Sequence, residues 1–308
     1  MTAGGGPPRW RADLALAGVC FVWGSTFILV KEALADISPL LFLALRFGVA
    51  AGALAVLFRG RHTSSRAGRG AELRAGFLVG LCLFTGYVTQ TVGLKYTTAV
   101  KAGFLTGFYI VLVPVLSAVV YRKLPRAPEV FGVLTATAGM ILMTLPGLRM
   151  EIGYGDALEI ACAFAYAAHI VVLGHYSTEG RISFTRLSLY QIAAVALLSA
   201  AACGWAEPVH VRWRPVVVVA IAVTGLLATA LAFSVQTWAQ QHTTPTRTAL
   251  VFSLEPIFAW LTAYLAAGEA LSRRAAVGAT LILAGILLVE LKPGRLTPHP
   301  SSQVPGSL

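Results

Sequence analysis

Ten apolar stretches of similar length recur along this chain of 308 residues. About 20 residues at a rise of about 1.5 Å per residue span a hydrocarbon core of about 30 Å, so each stretch is long enough to cross a membrane as a helix. Charged residues fall mainly in the short loops between the stretches. The predicted helices are Leu14–Val30, Pro39–Phe58, Ala75–Leu94, Ala102–Tyr121, Val130–Leu148, Ala157–Thr178, Leu187–Ala206, Pro215–Trp238, Thr248–Gly268 and Ala275–Val289.

The amino-acid composition agrees with a protein that is embedded in a lipid bilayer. Hydrophobic residues make up 57% of the chain and charged residues 12%, whereas a soluble domain carries roughly a quarter charged residues. The apolar stretches show no alternation with a period of two, which a membrane β-barrel needs. The first stretch continues to Val30 without a signal-peptide cleavage site and is predicted to stay as a helix. The sequence therefore predicts an all-α membrane protein with ten transmembrane helices.

The distribution of basic residues predicts the orientation of the chain. Lys and Arg favour the loops of one side by about two to one, and such loops usually lie in the cytoplasm. Both termini are then cytoplasmic, with residues 1–12 as a short cytoplasmic N-terminus and the proline-containing residues 292–308 as a disordered cytoplasmic tail. Because the positive charge is spread over alternate loops, no nucleic-acid partner is expected. The expected location is the inner (plasma) membrane.

The two halves of the chain repeat each other. Residues separated by 146 positions match without a gap, and nearby offsets extend the match towards the start of each half. Each half, at residues 13–148 and 155–291, contains five predicted helices, so the second repeat enters the membrane from the opposite side. The matched pairs are Asp13 with Asp156, Trp23 with Tyr166, Arg46 with Gln191, Gln90 with Gln236, Thr98 with Thr244, Lys101 with Arg247, Gly132 with Gly278, and Gly139 with Gly285.

Several motifs resemble one known family of membrane proteins, the EamA-type transporters of the drug/metabolite transporter superfamily. They are Trp23–Phe27 (WGSTF), Leu45–Phe47 (LRF), Ala102–Pro114 (AGFLTGFYIVLVP), Phe252–Pro256 (FSLEP), Gly268-Glu269 and Gly278–Leu287 (GATLILAGIL). The resemblance implies a secondary carrier in which helices one to four and six to nine surround a central cavity, while helices five and ten form a scaffold. The sequence departs from the pattern at Arg122-Lys123-Leu124, where the first-half counterpart of Glu269 has no carboxylate.

Charged side chains inside the predicted helices are the first candidates for function. Glu255 lies deep in the ninth helix beside Pro256, and it is predicted either to bind a proton or a substrate amine or to be a structural glutamate. Pro256 and Pro114 are predicted to kink their helices. Arg46 is predicted either to meet a substrate carboxylate or to pair internally. His169 is the second proton-coupling candidate, although a lone helical histidine more often bonds a neighbour.

Polar and aromatic residues at helical spacing complete the predicted cavity. Glu159, Cys162, Tyr166 and His169 share one face of the sixth helix, and Glu159 is expected to reach the outer interface. The glutamines of the repeat are predicted either to contact a solute or to bond between helices. The aromatic residues are cavity walls or ordinary packing. The predicted substrate-binding set is Trp23, Thr26, Arg46, Tyr87, Gln90, Tyr109, Tyr166, His169, Gln236 and Glu255.

Inverted repeats around a buried polar site are typical of transporters that work by alternating access. The sequence therefore predicts a secondary transporter that exports a small metabolite, amino acid-like or drug-like, across the membrane, with proton antiport as the favoured energy source and facilitated diffusion or exchange as the alternatives. A passive channel or facilitator is the alternative, and an intramembrane enzyme is disfavoured because no nucleophile or acid–base motif is present. No cofactor or metal ion is expected. The predicted partners are a small-molecule substrate and the lipid bilayer, and the protein is predicted to be a monomer or a homodimer.

Overall fold

Thirteen helices account for most of the chain in the computed structural model. The structure describes residues 9–60, 68–144, 152–178, 182–267 and 272–290. The expectations for residues 1–8 and 292–308, and for Gly268 and Glu269, fall outside these ranges. The helices are α1 (Arg9–Ala33), α2 (Pro39–Leu57), α3 (Arg69–Tyr96), α4 (Ala99–Thr106), α5 (Tyr109–Tyr121), α6 (Ala127–Thr144), α7 (Tyr154–Thr178), α8 (Phe184–Ala206), α9 (Pro215–Gly225), α10 (Ala232–Ala239), α11 (Pro245–Phe252), α12 (Glu255–Ala267) and α13 (Arg273–Glu290).

These helices form ten passes through the bundle. Eight stretches are long and apolar enough to cross a membrane, and the pair α11–α12 and the helix α13 supply two more passes. An even number of passes brings the beginning of α1 and the end of α13 to the same face. We call this the terminal face, and the opposite one the distal face. The all-α fold predicted from the sequence, with two inverted five-helix repeats, is confirmed.

Two of the passes are interrupted, at positions that correspond in the two repeats. The sequence predicts single proline-kinked helices here, but the fourth pass breaks between α4 and α5 at Gly107–Phe108 and the ninth between α11 and α12 at Ser253–Leu254. Both breaks obey the offset of 146 residues. The first break precedes Pro114, which lies inside α5, whereas the second comes directly before Glu255 and Pro256.

A third interruption has no counterpart in the other repeat. The eighth pass contains a π-helical turn, Leu226–Leu231, between α9 and α10, whereas α3 of the first half is a continuous helix. A π turn is an insertion into a regular helix and often marks a functional site. The two repeats therefore share one plan and differ locally at this turn.

The helices α6 and α13 pack against each other through glycines. A Cβ atom at Gly139 would lie 2.4 Å from the carbonyl oxygen of Gly278, and one at Gly132 would lie 2.7 Å from that of Gly285. The absence of side chains lets the two backbones meet, which is how membrane helices commonly associate. Neither helix contributes a residue to the central cavity described below. The resemblance noted above assigned these two helices to the scaffold, and their packing agrees with that role.

We expect Gly139→Ala to destabilise the protein, although alanine normally favours a helix over glycine by about 1 kcal/mol. The added methyl group has to displace the α13 backbone, and overpacking of this kind costs about 1–3 kcal/mol. Gly48→Ala is the matched control, because no atom lies within 4 Å of a Cβ at that position. Thermal melting of the purified protein in detergent measures both variants. Equal melting temperatures for the two would show that the close contact does not contribute to stability.

Candidate functional site

A cavity lies in the centre of the bundle, between the two repeats. All ten residues that the sequence predicts for the binding site line it: Trp23, Thr26, Arg46, Tyr87, Gln90, Tyr109, Tyr166, His169, Gln236 and Glu255. Their role in binding stays a prediction. The cavity has a volume of about 80 Å³, which is room for several water molecules. Its lining reaches Val30 and Leu94, within a turn of the distal ends of α1 and α3.

On the terminal side the bundle is closed by apolar packing. Buried residues from α1, α5, α7, α10 and α11 form one cluster, which includes Leu16, Val113, Val171, Ala239 and Val251. Each of these residues lies nearer the terminal end of its pass than the cavity residues of the same pass. The cavity therefore extends towards the distal face.

Arg46 is a buried cation held by neutral groups. Its Nε donates to the Thr229 hydroxyl (2.7 Å), and its Nη2 donates to the Tyr87 hydroxyl (3.2 Å) and to the Ala228 carbonyl (3.4 Å). The guanidinium also lies 4.8 Å from the centre of the Tyr87 ring. No carboxylate within the described ranges forms a salt bridge with it. A cation that lines a cavity without a counter-ion is suited to an anionic group of a solute.

The π turn supplies the acceptors that hold Arg46. Ala228 and Thr229 both lie in the turn, and the Ala228 carbonyl also accepts a hydrogen bond from Trp23 Nε1 (2.9 Å). A π turn frees carbonyl oxygens from the regular helical pattern, because it changes the register of the backbone bonds. The local irregularity of this pass therefore fixes two cavity residues, Arg46 and Trp23, from the opposite repeat.

Glu255 lies at the break of the ninth pass. It is the first residue of α12, where the amides at the start of a helix favour a negative charge. At the offset of 146 its counterpart is Tyr109, the first residue of α5, which also lines the cavity. The two breaks thus bring corresponding residues to the cavity, and only one of the pair carries a carboxylate.

The remaining polar residues take part in hydrogen bonds between helices. His169 Nε2 lies 3.0 Å from the Gln191 side-chain oxygen, and Gln191 donates to the Thr237 hydroxyl at 2.9 Å. The Tyr166 hydroxyl donates to the side-chain oxygen of Gln90 at 2.9 Å. These bonds agree with the alternative that His169 and Gln90 connect helices. Both residues still lie at the wall of the cavity.

Gln236 differs from its repeat partner Gln90. Its side-chain nitrogen donates to Gln240 at 3.2 Å, but its side-chain oxygen has no hydrogen-bond partner among the described residues. The side chain is buried and lines the cavity. A buried acceptor without a donor is costly, so this oxygen is suited to a hydrogen-bond donor on a bound solute.

Ion pairs between the repeats lie at both ends of the bundle. On the terminal face Arg247 Nη2 is 3.2 Å from Asp13 Oδ2, and on the distal face Lys101 Nζ is 2.5 Å from Asp156 Oδ2. The four residues are the repeat-matched pairs of the sequence. The hydroxyls of Thr98 and Thr244 cap α4 and α11 and accept bonds from the backbone amides of these basic residues. Sequence reasoning missed the pairs, although the repeat itself placed an acid and a base at each end.

Glu159 does not reach the interface, contrary to the expectation from the sequence. Its side chain is fully buried, with an exposed fraction of 0%, and its Oε2 accepts a hydrogen bond from the Thr106 hydroxyl at 2.8 Å. The reason is tight packing: the backbone of Gly93 on α3 lies against the Glu159 carboxylate, so α3 covers this part of α7.

Comparison with known proteins decides the family. The sequence profile of the EamA-like transporter family matches residues 10–145 and 153–291, one match for each repeat. The chain belongs to the EamA-like transporter family. The protein is therefore a multi-pass membrane transporter, and the interrupted passes around a central cavity are its candidate transport site.

Individual relatives agree with this assignment. An uncharacterized transporter of Archaeoglobus fulgidus is 35% identical over 93% of this chain and 88% of its own length. The uncharacterized transporter YyaM of Bacillus subtilis is 23% identical over 89% of this chain and 92% of its own. A WAT1-related chloroplastic protein of Arabidopsis thaliana is 23% identical over 94% of this chain and 72% of its own. A crystal structure with 21% identity aligns with a TM-score of 0.75 over 92% of this chain and 98% of that chain, which shows a shared fold.

We expect Thr229→Val to destabilise the transporter through Arg46. The variant keeps the shape of the side chain but removes the acceptor of the Arg46 Nε–H, and an unpaired buried donor costs about 1–3 kcal/mol. Melting temperatures of Thr229→Val with Arg46 and with Arg46→Met form a double-mutant cycle, and the cost should disappear in the second background. Thr224→Val is the control, since that hydroxyl bonds only the backbone of its own helix. An equal cost in both backgrounds would contradict the role of the bond.

Proposed function

We propose that the protein is a secondary transporter that exports a small metabolite by alternating access, with both termini in the cytoplasm of the cell that carries it. The observation that supports this most strongly is the pair of ion pairs, Asp13–Arg247 and Asp156–Lys101, at opposite ends of one cavity. Each pair joins the first helix of one repeat to the fourth pass of the other. Opening either end requires one pair to separate.

The two ion pairs correspond to each other, because the repeat matches Asp13 with Asp156 and Arg247 with Lys101. Two halves with similar sequence and opposite orientation can exchange conformations, so that an inward-open and an outward-open state have similar free energies. In this proposal the terminal face is cytoplasmic, as the excess of basic residues there indicates. In the present structure both pairs are formed, and the cavity extends towards the distal face.

The cavity favours a small solute with groups of both charges. Arg46 offers a cation, Glu255 a carboxylate, and Gln236 an unoccupied acceptor, while aromatic side chains such as Tyr87 and Trp23 supply apolar walls. An amino acid-like zwitterion matches this set, and proton antiport through Glu255 and His169 is the proposed energy source. Metabolite profiling of deletion and overexpressing cells tests the substrate class. A passive channel would lack saturable counterflow of the identified solute in proteoliposomes.

Breaking the two ion pairs should move the protein in opposite directions. The reporter is Val30→Cys, a residue of the distal half of the cavity, in a protein whose four native cysteines are replaced, labelled by a membrane-impermeant maleimide. We expect Asp156→Asn to raise the labelling rate from the distal side and Asp13→Asn to lower it. A hydrogen bond to a charged group contributes about 1.5–3 kcal/mol, which corresponds to roughly tenfold or more in population.

The ion pair between Glu72 and Arg186 provides the control for this experiment. It joins α3 to α8, whereas each tested pair joins the first helix of one repeat to the fourth pass of the other. We expect Glu72→Gln to leave the labelling of Val30→Cys at its original rate. Alternating access through these ends is excluded if Asp13→Asn and Asp156→Asn change the labelling in the same direction.

Glu255→Gln should uncouple transport from the pH gradient. The amide keeps the size of the side chain but cannot gain or lose a proton, so counterflow of the identified solute should continue while gradient-driven export is lost. Proteoliposomes with and without an imposed pH gradient distinguish the two rates. Full gradient-driven export by the variant would show that Glu255 carries no coupled proton.

A further inference from the structure

Glu159 is a buried carboxyl group next to the distal ion pair. It lies one turn after Asp156 on α7, and none of its side chain is exposed. Its Oε2 accepts a hydrogen bond from Thr106, whereas its Oε1 has no hydrogen-bond partner among the described residues. Because Thr106 also lines the central cavity, its hydroxyl connects Glu159 with that cavity.

The charged groups near Glu159 are occupied by other partners. On α4, Lys101 binds Asp156, and on α1, Lys31 donates hydrogen bonds to the carbonyl oxygens of Leu94 and Thr97. The helix α3 presents the backbone of Gly93, and α7 itself adds the buried thiol of Cys162. No cation of the described residues forms a salt bridge with Glu159.

The position that corresponds to Glu159 at the other end of the bundle carries no ionisable group. At the offset of 143 that matches Asp13 with Asp156, the counterpart of Glu159 is Leu16, and at the offset of 146 that matches Lys101 with Arg247, the counterpart of Thr106 is Phe252. Both belong to the apolar cluster that closes the terminal side. The two ion pairs are therefore alike, but only the distal pair has an ionisable group one turn further inside.

We propose that Glu159 is a proton-binding site that controls the distal end of the cavity. An ionised carboxylate is unfavourable in this buried place, because one of its oxygens has no donor and the surroundings exclude water. The neutral acid has no such penalty and can supply a proton to a hydrogen bond. A protonated Glu159 therefore favours closure of the distal end, and ionisation favours an open end that hydrates the carboxylate.

The role of Glu159 depends on the transport function proposed above, and it specifies the direction in which the proton moves during transport. A proton from the distal aqueous phase binds Glu159 when the distal end is open. The ion pair between Asp156 and Lys101 then forms on the distal side of the protonated Glu159 and closes this end. When the cavity opens to the terminal face, the proton leaves through the Thr106 hydroxyl and the cavity. The proton thus moves from the distal to the terminal side, which is the direction that export by antiport requires.

Infrared difference spectroscopy tests the proton site without a substrate. The full-length protein in lipid bilayers is titrated from acid to alkaline pH, and the C=O stretching band of protonated carboxyl groups is recorded. We expect a band from a water-excluded carboxyl group that is lost in Glu159→Gln and is retained in Glu255→Gln. An identical set of bands in the original protein and in Glu159→Gln would overturn the proposal.

Labelling of Val30→Cys at different pH values tests the control of the distal end. Because a maleimide reacts with the thiolate, each rate is divided by that of a free thiol at the same pH. This ratio should rise with pH in the original protein, should stay low at every pH in Glu159→Gln, and should regain its pH dependence, at a shifted midpoint, in Glu159→Asp. If Asp13→Asn and Asp156→Asn behave as opposites while Glu159→Gln keeps the pH dependence, this proposal fails and the transport proposal stands. If the two aspartate variants do not differ, the transport proposal itself fails.

Discussion

Hydrocarbon offers no hydrogen bonds to a polypeptide backbone, and this constraint governs where the present fold is irregular. A transmembrane helix can be broken only where protein groups or cavity water satisfy the freed amides and carbonyls. The three interruptions, at Gly107–Phe108, Leu226–Leu231 and Ser253–Leu254, all adjoin the central cavity. In one of them the satisfied group is visible, since the Ala228 carbonyl receives bonds from Trp23 and Arg46. The helix interruptions and the polar cavity therefore occur together, because the backbone groups that an interruption frees can form hydrogen bonds only there.

Most features of the candidate site come in pairs that the repeat relates, and the other features are residues that differ between the two repeats. Matched residues form the ion pairs at the two ends, and matched breaks bring Tyr109 and Glu255 to the cavity. The asymmetric features include the carboxylate at only one break, the π turn in only one repeat, Arg46 opposite Gln191, and Glu159 opposite Leu16. In the mechanism proposed above, the symmetry of the repeats allows two conformations of similar free energy, and the asymmetric residues determine the direction of transport and the choice of solute.

The sequence was sufficient for the fold and for the wall of the cavity, because both follow from local signals. Helical spacing and the repeat identify residues such as Tyr166 and Gln236 without knowledge of tertiary contacts. The break at Gly107 was missed because it has no proline of its own, and Pro114 drew attention to a different turn. The burial of Glu159 was missed for a different reason: depth along one helix does not show that Gly93 of another helix covers it.

The glycine-lined contact between α6 and α13 has a consequence beyond its contribution to stability. It joins the last helix of each half through backbone atoms, with Gly132, Gly139, Gly278 and Gly285 at the points of contact. Side chains such as Val289, Ile282 and Met143 pack beside these glycines, so the short distance between the two helix axes is maintained by backbone contact and by side-chain packing together. The two repeats are therefore tied together through their last helices, so that a displacement of either helix is passed directly to the other.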